Sequence, residues 1–444
     1  MLDFGLTQIR VSQGTEGQCS LPRSQLQKAG WHQGDVVVLR FGSARVRARL
    51  QATEDGGWSI SPGVLHRLSL YPRRVNCQID SRQHSIRFGP LIGIMTTWAM
   101  SPYFRLVMLA AAKLGMMAVV FRPADMVTGD GRMEAWAYVS GSVRRVTVPW
   151  PDVVYNRIPN RGGETHSSTR LCKRLLAGRG VTVFNRTFFH KWWIYRLLRG
   201  DAAGNAHLPE SHPLTHLSQV SRMLHRYPMV YLKPNGGSKG MGIVKVNRLS
   251  GGGFTVSYRR GNHNYQLTGT NWAEAEQLVR RGMYHRSYVI QEGLPLARFH
   301  GRPFDVRVTL YKDINGRWIC CGPAAKIAGK GSITTHVHNG GRIVPLGKVL
   351  RYSFGEKAEQ VRESISRTSI EVAEAVERVT HLQLGELGLD IGVTASGRVA
   401  MFEANSKPGR AIFAPDWAKM DRSQSLAFLC GYAARLAGFA RKEG

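Results

Sequence analysis

Glu386-Leu-Gly-Leu-Asp390-Ile-Gly-Val-Thr-Ala-Ser-Gly397-Arg-Val-Ala-Met-Phe-Glu403-Ala-Asn405 reads as strand, turn, strand. Leu389, Ile391 and Val393 alternate with Asp390 and Gly392, and beyond the turn Ala400, Phe402 and Ala404 alternate with Met401, Glu403 and Asn405. Side chains of a strand point to opposite faces with period 2. Each strand is therefore expected to carry one apolar face and one face of acid or amide. If residues 395–398 form the turn, Asp390 lies directly opposite Glu403, with Asn405 next on the same face. Two carboxylates and an amide oxygen are hard ligands that suit Mg²⁺. Without a cation the opposed carboxylates repel across the strands. Taken alone, the pattern also fits a hairpin with a solvated polar face.

The 444 residues suit two or three domains. Hydrophobic content of 43% indicates globular cores, which argues against a disordered chain. Lys and Arg number 61 against 30 Asp and Glu, giving a formal charge of +31. Most of these cations are Arg, the fork-shaped donor for carboxylate and phosphate. Anionic partners follow: nucleotides, acidic substrates or an anionic polymer. Nucleic acid is set aside, because the basic residues are scattered and not interleaved with aromatics. Cys19, Cys77, Cys172, Cys320, Cys321 and Cys430 form no Cys-x-x-Cys pair and read as free thiols of a reducing compartment. The start, Met1-Leu-Asp-Phe-Gly, lacks a basic region followed by an apolar one, so cytoplasmic placement is expected. The longest apolar run, 103–121, is broken by Arg105 and Lys113, and no membrane span is expected.

Residues 1–85 carry short strand signals (36–39, 45–50 and 58–60) between Gly-rich turns, as in a small β domain. Residues 86–185 read as a βαβ unit: a strand at 90–95, a helix opened by Ser101-Pro102, and a strand at 116–121. Further strands are expected at 152–155 and 181–184, with a helix at about 169–178 between them. Residues 186–444 read as α+β, with helices at 191–198, 355–380 and 422–439.

Four further segments suggest chemistry. Tyr231-Leu-Lys233-Pro-Asn-Gly236-Gly237-Ser238-Lys-Gly240-Met-Gly242 is strand, glycine loop, strand. It is no Walker A loop, since no Gly-Lys-Ser/Thr leads into a helix. A hairpin loop folding over phosphates with Lys233 at its base, or an ordinary glycine hairpin, both fit. Tyr288-Val-Ile-Gln291-Glu292-Gly293-Leu294-Pro295 is an apolar strand running into a polar end, where backbone could pair with an adenine edge and Glu292 with ribose hydroxyls. Arg302-Pro-Phe304-Asp305-Val306-Arg307-Val308-Thr-Leu310 alternates cleanly. Asp305 would orient Arg307 toward a phosphate, or the two form a salt bridge. Lys326 follows, and then His336 and His338, for which no third zinc ligand stands at a usual spacing.

In order and spacing, these segments from about 186 to 415 resemble the ATP-grasp superfamily. The full chain resembles its endospore-coat-associated YheC/YheD branch, on Leu-Lys-Pro-Asn-Gly-Gly-Ser, Arg-Pro-Phe-Asp-Val-Arg and Phe-Glu-Ala-Asn-Ser-Lys-Pro-Gly-Arg. The resemblance implies an α+β / α/β protein. An ATP-grasp fold of two α+β lobes clasping ATP (186–444) would follow a βαβ pre-ATP-grasp domain (86–185) and a small N-terminal β domain (1–85). It implies an ATP- and Mg²⁺-dependent carboxylate–amine ligase working through an acyl-phosphate, or a non-catalytic scaffold of the spore coat. The partners implied are a small molecule or peptide with carboxylate and amine, and spore-coat proteins or an anionic polymer. Among residues, it implies phosphate binding by Lys233 and Lys191, and a lid formed by Gly236, Gly237, Ser238 and Gly240. Adenine and ribose would be held by Gln291, Glu292 and Leu294. Catalysis would fall to Arg307, Lys326 and Asp305, and Mg²⁺ to Asp390, Glu403 and Asn405. Many relatives carry an Arg just before the first metal acid. Here Gly388 and Leu389 stand there, with Lys326 or Arg410 as substitutes.

Overall fold

The computed structural model describes residues 2–54, 57–71, 73–98, 100–127, 131–236, 240–261, 263–284, 287–335 and 339–439, without the side chains of 2–4 and 127. The first seven strands close into a barrel in the order Leu2–Val11, Trp58–Ile60, Gln18–Pro22, Ala44–Thr53, Val36–Phe41, Ser85–Gly89, Arg74–Asp80. The last pairs antiparallel with the first. Closure removes the exposed edges that a small open sheet would present. Trp58, Phe41, Phe88, Leu39 and Leu50 fill the interior, each at most 1% exposed.

Four parallel strands follow side by side: Met117–Phe121, Leu91–Met95, Val153–Asn156 and Thr182–Phe184. The helix Pro102–Lys113 makes the first crossover, its start capped by Ser101, whose hydroxyl accepts from the Phe104 amide. The antiparallel hairpin Arg132–Val139/Ser142–Pro149, which the sequence reading missed, extends this sheet to six strands. Barrel and sheet share one apolar cluster, in which Phe88 and Trp58 stand with Leu91, Phe121 and Val154.

Two antiparallel sheets make up the rest. One runs Ser211–Leu214, Tyr288–Glu292, Met229–Pro234, Val244–Arg248, Phe254–Arg260, His263–Gly269. Helices Ser218–Arg226 and Trp272–Gly282 cover one face of it through Val220, Leu224, Ala275 and Val279. The other runs Arg342–Pro345, Trp318–Ile327, Arg302–Lys312, Glu386–Val393, Val399–Asn405, with Arg298–Phe299 beside Arg302–Lys312. The helix Ala358–Thr380 packs on it through Val361, Ile365, Val372 and Val376. Residues 355–357, expected within that helix, form a 3₁₀ turn before it. The final helix, Lys419–Leu436, lies between this sheet, which it meets at Arg302–Lys312 and Trp318–Ile327, and the helix Pro102–Lys113. All six cysteines are free thiols. No helix among the described residues is long and apolar enough to cross a membrane.

Candidate functional site

Glu386–Val393 pairs with Val399–Asn405, and Asp390 stands directly opposite Glu403 as expected, although next to the turn Val393 pairs with Val399 and not, as a turn at 395–398 requires, with Ala400. Gly397 sits in the turn at φ 87, a conformation that a residue with a Cβ adopts only under strain. The strict alternation fails at one place. Ile391 pairs with Met401 while Asp390 pairs with Glu403, so Phe402 is an extra residue, a β-bulge. Met401, expected beside Glu403, is fully buried in the core. Phe402, expected on the apolar face, turns beside Glu403 into the cleft, where its ring lies over Gly392.

The neighbouring strand supplies the second set of groups. Phe304, Val306, Val308 and Leu310 are buried on one face as expected. On the other, Arg307 pairs in register with Asp390, and Asp305 with Lys326. Lys326 Nζ lies 2.9 Å from Asp390 Oδ1 and 3.2 Å from Asp305 Oδ1. Burial opposes the charge on Lys326, but the two carboxylates outweigh it and raise its pKa. Arg307 Nη1 is 3.4 Å from Asp390 Oδ1, and Thr335 donates a 2.5 Å hydrogen bond to Asp305 Oδ2.

Gly388, two residues before Asp390, leaves no room for a side chain. A Cβ there would lie 2.6 Å from Pro408 Cβ and 3.2 Å from Arg307 Nη1. The space is held by the Pro408 ring and the Arg307 guanidinium. Arg410, the other proposed substitute, points elsewhere. It donates to Glu386, Tyr155, Tyr103 and Tyr311, between this sheet and the parallel one.

The opposite wall comes from the other antiparallel sheet. Lys233 donates to Gln291 Oε1, and its Nζ lies 5.1 Å from the Phe402 ring centre. Burial lowers its pKa to about 8, against the pull of Glu403, Asp390 and Asp305 and with the push of Lys191. The Gln291 amide donates to Tyr195 Oη at 2.6 Å and Ser211 Oγ at 3.0 Å. Its side chain is thereby committed within the protein, and Leu294 and the carboxylate of Glu292 supply apolar and polar lining at that end. One Glu292 oxygen already accepts from the Glu210 amide at 3.0 Å. Lys191 opens the helix Lys191–Leu198, and its Nζ is 2.9 Å from Glu403 Oε1. Tyr195, one turn on, donates to the carbonyl of Phe402 at 2.9 Å and so ties this helix to the bulge.

These walls enclose a cleft lined by Lys191, Lys233, Gly240, Leu294, Asp305 and Glu403, among others. A second cavity, of about 600 Å³, adjoins it and shares Lys191, Asp390 and Glu403. Arg307, Lys326, Asn405, Gly236 and Arg161 also line it. Apart from Arg410, all the expected residues that are described thus meet at two joined cavities. Gly237 and Ser238, and the pair His336 and His338, lie outside the described residues. Sequence reasoning missed Tyr195, Thr335 and Phe402. The phase break at Phe402 carries no residue signature.

No three His, Cys, Asp or Glu cluster as a metal site among the described residues. The donors here are two facing carboxylates and the Asn405 amide on one cavity wall, all oxygen, which fits a hard divalent cation. The lysines that neutralise both acids are the groups such a cation would displace.

A family model described as YheC/D-like ATP-grasp matches residues 180–436. The chain belongs to this family. It is 32% identical over 421 residues to the endospore coat-associated protein YheD of Bacillus subtilis (strain 168), covering 91% of this chain and 90% of that one. To the endospore coat-associated protein YheC of the same organism it is 23% identical over 315 residues, 68% of this chain and 83% of that one. Among solved structures, the ATP-grasp ligase PsnB with a minimal precursor overlaps 77% of this chain and 99% of its own, at 15% identity and a TM-score of 0.45. So loose an overlap carries nothing about what this member of the family binds. The fold is ATP-grasp-like, with its α+β lobes on either side of the cleft.

Proposed function

We propose that this family member is an ATP- and Mg²⁺-dependent carboxylate–amine ligase. The observation that carries the reading is the convergence of Lys233, Arg307, Lys326, Asp390 and Glu403, from both lobes, on two joined cavities. In this reading Lys233 and Lys191 bind the nucleotide phosphates, Leu294 and the backbone of 291–294 take the adenine, and Glu292 takes the ribose. The loop 236–240 closes over the phosphates. Asp390, Glu403 and Asn405 would hold Mg²⁺, which supplies charge neutralisation at the phosphates.

The substrate acid lies in the second cavity. Its carboxylate oxygen attacks the γ-phosphorus, the bond to ADP breaks, and an acyl-phosphate forms. Arg307 and Lys326 neutralise the charge on the transferring group, and Asp305 holds Lys326 in place. An amine then attacks the acyl carbon, phosphate leaves, the nitrogen loses a proton, and an amide results. The cleft walls keep water from the acyl-phosphate. Both curated relatives are named for association with the endospore coat, and we extend that placement to this chain. The same names favour a second reading, a coat scaffold that binds without turnover.

Calorimetric titration of MgATP separates the two readings. Wild type should bind, and Lys233→Ala and Glu403→Ala should not. A phosphate-release screen over amino acids and peptides then finds the acid and amine. Binding without release for any pair favours the scaffold, and no binding by the wild type ends the ligase reading.

A further inference from the structure

The barrel strand Ala44–Thr53 turns Val46, Ala48 and Leu50 inward and Arg45, Arg47 and Arg49 to solvent. Alternate residues of a strand are spaced about 7 Å apart. The three side chains therefore leave the strand in a row along the barrel, with Arg49 donating to the Gly34 carbonyl at 3.0 Å. Across the sheet, Arg45 stands directly opposite Arg40, and Arg40 opposite Arg87. Like charges directly opposite destabilise a sheet, so folding gains nothing from this arrangement.

Acids relieve it only in part, through Asp152 and Asp80 near Arg40. Among the described residues Arg40, Arg45, Arg47, Arg49 and Arg67 make no ion pair, and only Arg87 does, with Asp152 at 2.9 Å. Two other acids nearby are engaged locally. Asp80 accepts from the amides of Arg82 and Gln83, and Glu16 from the amide of Gly63 and the hydroxyl of Ser61. Arg67 and Arg132 face Arg45 and Arg47 across an open groove of about 400 Å³. Arg132 is oriented there by Ser69 Oγ at 2.9 Å and the Arg67 carbonyl at 2.5 Å.

We propose that this barrel face docks an extended acidic polypeptide segment whose alternate carboxylates match the two-residue repeat of Arg45, Arg47 and Arg49. An extended peptide has the same side-chain repeat as the strand beneath it. Arg forks take carboxylates with two parallel hydrogen bonds. Val36 and Val38, opposite Arg49 and Arg47 on the same outer face, give the stems of the bound carboxylate side chains an apolar strip. Single-stranded nucleic acid fits less well. Its bases need exposed aromatic platforms, and the barrel's exposed large apolar side chains among the described residues are Leu6, Val11 and Val36.

The test is fluorescence anisotropy of the full chain with a short labelled peptide of alternating Glu and Ser. Joint Arg45→Glu and Arg47→Glu substitution should weaken binding at least about tenfold. Joint Lys348→Glu and Arg351→Glu substitution, an equal charge change on the helix Leu346–Phe354, should weaken it far less. The pair Arg45→Gln and Arg47→Gln should lie between wild type and the Glu pair, and thermal melts check that each variant folds. Equal losses for the two Glu pairs, no binding of the peptide by wild type, or tighter binding of single-stranded DNA would each overturn the proposal.

Discussion

Asp390 and Glu403 are direct cross-strand partners, yet each carboxylate is held by a different lysine, Lys326 and Lys191, both at 2.9 Å. The two lysines come from different elements, the strand Trp318–Ile327 and the helix Lys191–Leu198. They do for the opposed acids what a divalent cation does when bound. Removing one acid should therefore separate metal-dependent from metal-free nucleotide binding. Glu403→Gln is expected to weaken MgATP binding by at least about tenfold, because it deletes a charged oxygen ligand. In EDTA the same change should leave ATP affinity equal or higher, since it also frees Lys191. Titrations with and without Mg²⁺ read both, and a parallel loss in the two would count against the metal assignment.

Lys233 gives a pH signature. Burial sets its folded pKa at about 8, below its ordinary 10.5. Phosphates bind the protonated form and raise that pKa again. Nucleotide affinity should accordingly fall as pH rises through about 8, with proton uptake on binding just above it. The charged groups facing Lys233 are Lys191, Glu403, Asp390 and Asp305. Stability has the opposite trend. Between the folded and unfolded pKa the unfolded chain binds more protons, so stability rises with pH across that window. Calorimetry in buffers of different ionisation enthalpy should detect the proton, and Lys233→Met should abolish both trends.

The pairing of Asp390 with Glu403 came out as read because two departures cancel: the turn takes one residue more than 395–398, and the bulge at Phe402 restores the register beyond it. The alternation of Phe304, Val306, Val308 and Leu310 was legible because one face of that strand is wholly apolar. What stayed hidden is non-local. Barrel closure depends on strands such as Leu2–Val11 and Arg74–Asp80, whose mixed polar sequences show no clean period. Arg410 looked free to serve the reaction because Glu386, Tyr155 and Tyr103 are distant in sequence and meet it only in the fold.

Glu386 is the centre of that meeting point. It is fully buried, accepts from Tyr155 Oη at 2.6 Å and Arg157 Nη1 at 2.7 Å, and also pairs with Arg410. Arg157 and Tyr155 belong to the parallel sheet region, while Glu386 begins the strand that carries Asp390. Glu386→Ala would strand two half-buried arginines, Arg157 and Arg410, around a fully buried position. Breaking a buried pair from one side costs about 3–5 kcal/mol. A loss of that size in denaturant titration is expected, whereas Glu359→Ala, removing an exposed pair with Arg362, should leave stability nearly unchanged.

The bulge offers the sharpest test of the cleft wall. Phe402 lies over Gly392 so closely that a Cβ there would come within 2.2 Å of the ring. Ring atoms of a packed Phe cannot yield by that much without a change of rotamer. Gly392→Ala should therefore cost about 1–3 kcal/mol through overpacking. It should also push the ring toward Lys233, 5.1 Å away, and weaken nucleotide binding. Adding Phe402→Ala removes the clash, so the double variant should be more stable than Phe402→Ala and Gly392→Ala would be if their costs simply added. Thermal melts of the four proteins measure this coupling. If Gly392→Ala alone is neutral, the ring does not lie where the bulge puts it, and the side-by-side placement of Phe402 and Glu403 on the cleft wall is wrong.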